Sequence, residues 1–145
     1  MYATVEQLNR YLHDTYDELY YVEDGDDTTS TELATDDLEA ASAEIDGALG
    51  CRYAVPVSRS TVLPMLRTWC LALTAELAWG RSAMAEPPKN LVERCSAIRK
   101  RLAEYAEGTQ SLAADPIENP TDGAASAALV QGDTPIMTKT KLAGW

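Results

Sequence analysis

Hydrophobic positions recur at three- and four-residue spacing in several separate stretches of this chain, and each stretch predicts a helix. In the first, Val5, Leu8, Tyr11 and Leu12 form one apolar side between Thr4 and His13. Thr4 followed three residues later by Gln7 is the spacing of a capping box. The second and central stretch runs from Asp36 to Pro56, DDLEAASAEIDGALGCRYAVP. Leu38, Ala41, Ile45, Ala48 and then Arg52 with Tyr53 make a stripe, while Glu39, Ser42, Glu44 and Asp46 take the remaining positions. Thr35 or Asp36 is placed to cap its start, and Asp37 and Glu39 suit the positive end of the helix dipole. Gly50 loosens the far end, and Pro56 restricts Val55 to extended backbone, so the helix is expected to stop before Val55.

A third helix is expected over Pro64 to Trp79, with proline in the first turn where its missing amide costs nothing. Met65, Leu66, Trp69, Cys70, Leu71, Leu73, Leu77 and Trp79 surround most of its circumference, as in a helix buried on several sides. Gly80 suits the position just past its end. After the punctuation of Glu86-Pro87-Pro88, the run LVERCSAIRKRLAEYAEG repeats Leu91, Cys95, Ile98, Leu102 and Tyr105, shows Arg94, Arg99, Lys100 and Arg101 outward, and closes at Gly108. The pattern gives an all-α fold, a small bundle of about four helices over residues 1–109. The bundle includes an acidic loop from Asp14 to Thr35 and is followed by an extended C-terminal arm over 110–145. The arm is rich in Ala, Pro, Gly, Asp and Thr, without sustained periodicity. Its end, PIMTKTKLAGW, regains Ile136, Met137, Leu142 and Trp145, which makes these four the candidate contacts with a partner or a neighbouring copy.

Charge changes this picture from a list of helices to a polarised object. The net charge is −11. Residues 1–50 hold fourteen acids against Arg10 alone, whereas residues 51–112 hold nine bases against five acids. Such a dipolar chain suits head-to-tail association of unlike surfaces, closing as a ring or growing as a filament; a solvated acidic face is the plainer meaning. An acidic protein is a poor candidate for sequence-specific DNA binding, which draws its affinity from neutralising phosphates. No apolar run approaches the ~20 residues that cross a bilayer, and the N-terminus lacks a signal-peptide pattern, so neither membrane association nor export is expected.

Candidate chemistry is sparse. The sequence has no glycine-rich phosphate loop, CxxC pair, HExxH or GxSxG, and no enzyme, cofactor or metal is expected. Asp24, Asp26 and Asp27 invite a calcium reading, but an EF-hand loop begun at Asp24 would have Thr29 and Thr35 where glycine and glutamate are required. His13, the only histidine, stands at a helix end where it suits a cap. The three cysteines, Cys51, Cys70 and Cys95, lie in apolar stripes as expected of buried free thiols. Asp46 and Arg52 are candidates for an ion pair at the end of the central helix.

The opening MYATVEQL, the central AEIDGALGCRYAVPV, the following LPMLRTWCLALTAELAWG and the closing IMTKTKLAGW together resemble the phage Mu-type Gp36-like family, which is similar to head-tail connectors of long-tailed phages. The most specific part is the run carried by Ile45, Asp46, Leu49, Arg52, Tyr53 and Pro56, a fold-defining motif. The Thr28 to Thr31 insert and the Ala-rich run before the tail depart from that pattern. The resemblance implies a non-enzymatic virion protein that docks on the portal ring of the filled head. It would form an oligomeric ring of about twelve copies and offer a platform to head-closure or tail proteins. Such a protein acts at the head-tail junction, after assembly in the host cytoplasm, around a channel through which DNA passes without sequence-specific contact. A different class stays open: an acidic helical binding module, such as a DNA-mimicking inhibitor, whose acids would form a regularly spaced surface.

Overall fold

A computed structural model describes residues 1–23, 25–82 and 86–116. These fold into five helices: α1 (Val5–Leu12), α2 (Thr15–Leu19), α3 (Asp27–Leu49), α4 (Leu63–Arg81) and α5 (Lys89–Glu107). The one β-type pairing among the described residues is a single bridge between Tyr53 and Pro116.

The capping box at α1 is formed: the Gln7 amide donates to Thr4 Oγ1 at 3.3 Å and the Thr4 amide to Gln7 Oε1 at 3.1 Å. His13 occupies the C-cap with φ 50° and donates its amide to Asn9.

The largest departure from expectation is the start of α3. It begins at Asp27, not at Asp36, and the acidic loop shrinks to the residues between α2 and α3. Asp26 is the cap, its Oδ1 accepting from the Thr29 amide at 3.0 Å. Threonines and serines usually read as turn formers because their hydroxyls compete for backbone groups. Here the competition is resolved inside the helix: Thr31 and Thr35 each donate to the carbonyl four residues back, at 2.8 Å. Ala34, Asp37 and Leu38 are buried and carry the stripe upward from Ala41 and Ile45. At the other end α3 stops at Leu49, before Val55 as expected, with Gly50 as the C-cap and the amides of both Arg52 and Tyr53 turned back onto the Leu49 carbonyl.

α4 begins with Pro64 in its first turn as expected. It runs through Gly80, which lies inside the helix and not past its end; Ser82, in extended backbone, terminates it. Leu66, Trp69, Cys70, Ala72, Leu73, Thr74, Ala75 and Ala78 are buried, and Leu77 is exposed. The Thr74 hydroxyl is satisfied by the Cys70 carbonyl at 2.7 Å. α5 closes at Gly108, whose φ of 81° is left-handed backbone that favours glycine.

α3, α4 and α5 pack pairwise around one core, α1 lies on α3 and α4, and α2 lies on α1. Ile45, Leu49, Leu66, Leu73, Cys70 and Cys95 are fully buried at its centre. Cys70 and Cys95 are buried and Cys51 half-buried, all three as free thiols; burial pushes the Cys95 thiol up to about 11.

Candidate functional site

Two polar arrangements organise the molecule, one at the C-terminal end of α3 and one at its middle. At its C-terminal end a clasp joins segments distant in sequence. Ile45 and Leu49 fill the core. Asp46 accepts a hydrogen bond from the Tyr2 phenol, and the Tyr2 oxygen in turn accepts from the Val57 amide at 2.9 Å. One phenol thus ties the N-terminus to the end of α3 and to the loop after it. Burial, and then the hydrogen bond to Asp46, raise the Tyr2 pKa well above the ordinary phenol value. Tyr53 does the equivalent for the C-terminal side: its hydroxyl accepts from the Leu112 amide at 2.9 Å. The strand-like contact continues with the Ala54 amide on the Asp115 carbonyl at 2.8 Å, and with Arg59 on the Asp115 carboxylate at 3.0 Å. The Arg52 guanidinium lies across Gly108, where a Cβ would meet it at 2.6 Å. Pro56 follows Val55 through a cis peptide bond. The six motif residues therefore gather where α3, the following loop and the segment after α5 meet, and Leu112 and Ala114 lie buried against that junction.

At the middle of α3, buried polar groups link α2, α3 and α4. Asp37 accepts from the Tyr20 hydroxyl at 2.9 Å and from Arg81 at 2.7 Å, and the Arg81 guanidinium sits 5.3 Å from the Tyr20 ring centroid. Burial and the Asp37 carboxylate raise the Tyr20 pKa. Burial alone would lower the Arg81 pKa, but its bonds to Asp37 raise it overall. On the flank of α5 that faces α3, Arg99 bridges Glu44 at 2.7 Å and Glu76 at 2.6 Å, and these bonds raise its pKa.

The remaining charges point outward; those on the free face of α3 are all acidic, while α5 exposes its bases together with Glu93 and Glu107. Asp27, Glu32, Asp36 and Glu39 lie exposed along the free face of α3, interleaved with Thr28, Thr31 and Thr35. Lys89, Arg94, Lys100 and Arg101 are exposed on α5. Arg94 and Arg101 flank a groove between α4 and α5 that Trp69, Ala97 and Ile98 line. The terminal candidates Ile136, Met137, Leu142 and Trp145, and most of the arm, lie outside the described residues.

Sequence reasoning gathered the motif but missed its partners. Tyr2, Val57, Leu112 and Asp115 come from segments with no helical periodicity, and only the fold brings them together. Asp37 carried a signal: an acid three residues after Ala34 and four before Ala41 occupies the buried side of the stripe and requires a buried donor. Among the described residues no group of three or more His, Cys, Asp or Glu side chains is placed to hold a metal ion, and no helix is long and apolar enough to cross a membrane.

Among the described residues, the internal polar groups join distant segments of an all-helical body. Compared with known families, residues 2–130 match the model of Bacteriophage Mu, Gp36, and the chain belongs to that family. It is a family of non-catalytic phage structural proteins of the head-tail connector type. The match spans all five helices and stops before the terminal PIMTKTKLAGW. No curated protein matches the chain.

Proposed function

We propose that this chain is a head-tail connector subunit. In this reading it docks on the portal ring as an oligomer of its own copies, at the head-tail junction of the virion, and presents a platform to head-closure or tail proteins. The observation that carries the reading is the family match over residues 2–130. The bundle supports it physically. A connector must keep its shape while loaded from both sides, and the clasp ties the N-terminus, the end of α3 and the segment after α5 into one body through Tyr2 and Tyr53. The motif residues Ile45, Asp46, Leu49, Arg52, Tyr53 and Pro56 then have a scaffolding role, and the terminal Ile136, Met137, Leu142 and Trp145 are the contacts offered to a partner. Acidic surface along a channel would also let DNA slide without sticking, since like charge disfavours phosphate contacts.

A second reading has one observation in its favour: the acids of α3 stand on a regular helix, as a DNA-mimicking binding module would require, and not in a loop. Co-sedimentation of the purified chain with tail-less heads of the phage that encodes it, followed by imaging of the portal vertex, separates the two. Stoichiometric binding with added density at one vertex is expected of the connector. A chain left in the supernatant, while tails still join those heads, contradicts it and leaves the binding module.

A further inference from the structure

Exposed charges that the fold does not use are the strongest unexplained feature of the surface. Of the acids, Asp37, Glu44, Glu76 and Asp115 pair internally with Arg81, Arg99 and Arg59, and Glu6 pairs with Arg10. None of these ion pairs involves Glu32, Asp36 or Glu39 on α3, or Arg94 and Arg101 on α5. The two sets are also spaced alike. Glu32 and Glu39 are seven residues apart on one face of α3, and Arg94 and Arg101 are seven apart on one face of α5. Each interval is two turns, or about 10.5 Å of helix.

The surfaces between the charges match as well. Between Arg94 and Arg101 the α4 and α5 groove is floored by Trp69, Ala97 and Ile98, and Trp69 is held by its ring contact with Tyr105 at 6.2 Å. Between Glu32 and Glu39 lie Thr35 and the exposed Asp36, a third acid on the same face, with Thr31 and Thr28 continuing it. The hydroxyls of Thr31 and Thr35 are bonded to their own helix, which leaves the face less demanding to desolvate than free hydroxyls would.

A single copy cannot bring these surfaces together. On α5, Arg99 reaches Glu44 of α3 and so marks the flank that faces α3. Arg94 and Arg101 lie on the opposite flank by helical angle, so their groove opens away from α3. An α3 face that meets this groove must therefore come from another molecule, and that face is present on every copy.

We propose that the α4 and α5 groove of one copy receives the α3 face of a second copy, with Glu32 and Glu39 meeting Arg94 and Arg101. This contact uses two different patches on each molecule, is therefore head-to-tail, and closes into a ring where its rotation permits. The inference rests on the connector reading only for the biological use of the ring; the contact itself is a property of the free chain.

Sedimentation velocity of the full chain in low salt tests it, with two double reversals, Glu32→Arg with Glu39→Arg and Arg94→Glu with Arg101→Glu. All four positions are exposed, and circular dichroism checks that each variant keeps the wild-type helix content. The wild type is expected to sediment as an oligomer that dissociates as salt is raised. Each reversal alone places like charge on both patches and is expected to sediment as a monomer. Their equimolar mixture restores unlike pairing and is expected to oligomerise again. A wild type that remains monomeric, reversals that assemble as the wild type does, or a mixture that stays monomeric overturns the proposal. The same samples added to tail-less heads keep the two readings apart. Reversals that assemble normally while the wild type binds heads overturn this contact alone, whereas a wild type that oligomerises by the mixing rule but never binds heads overturns the connector reading alone.

Discussion

The C-terminal end of α3 and the rest of that helix use polar residues in opposite ways. At the C-terminal end Asp46 is engaged by Tyr2, and the Tyr2 and Tyr53 oxygens receive the amides of Val57 and Leu112. Of the acids from Asp27 to Glu39 only Asp37 turns inward, to Tyr20 and Arg81, while Asp27, Glu32, Asp36 and Glu39 face solvent. A buried polar group left unmatched costs free energy, so the clasp residues are constrained by the fold itself. Exposed charges add little to stability, so the α3 face is free to serve a partner. The face of the helix that a residue occupies thus separates residues that hold the molecule from residues that present it.

The sharpest way to break this division is to attack the core beside the clasp. Ile45→Asp places an unpaired charge among fully buried side chains, and a loss of several kcal/mol is expected. Thermal unfolding followed by circular dichroism should show no cooperative transition; a well-folded variant would mean that the core is not centred on α3.

Asp37→Ala comes next. It strips Arg81 and the Tyr20 hydroxyl of a shared acceptor, and about 2–3 kcal/mol of destabilisation is expected in urea unfolding. An effect no larger than that of Glu39→Ala would erase the distinction between the inward and outward acids of α3.

Removing a single phenol is milder. Tyr2→Phe and Tyr20→Phe should each cost about 1–2 kcal/mol at neutral pH. Both phenols have a folded-state pKa above that of the unfolded chain. Their contribution is therefore complete below the unfolded value of about 10 and is lost as pH rises from there toward the folded value, because the unfolded chain releases the protons first. Unfolding free energy measured across alkaline pH should fall less steeply in either variant than in the wild type; identical slopes would place these phenols in ordinary solvent.

Truncation after Pro135 is expected to have the smallest effect on folding, within about 0.5 kcal/mol of the full chain, while reducing the fraction bound to tail-less heads. Equal binding by the truncated chain would remove Ile136, Met137, Leu142 and Trp145 from the interface.

Much of the fold was legible because α1, α4, α5 and the lower half of α3 each repeat apolar residues at helical spacing, and the signals at Thr4, Pro64 and Gly108 act locally. The upper half of α3 was not, since Thr31 and Thr35 look like loop residues until their hydroxyls are seen to bond within the helix. Gly80 misled in the same way: glycine permits a stop but does not impose one. In the clasp, Ile45, Asp46, Leu49, Arg52, Tyr53 and Pro56 were recognisable as a group, but their partners at Tyr2, Val57, Leu112 and Asp115 are long-range contacts with no periodic trace.

The most direct test of the connector account is tail joining in vitro. Heads lacking this chain would be mixed with purified tails and any head-closure proteins, with and without the purified chain, and tailed particles counted by electron microscopy. The account predicts tailed particles only when the chain is present, in numbers that saturate as it fills one vertex per head. Tails that join equally well without it would contradict the account.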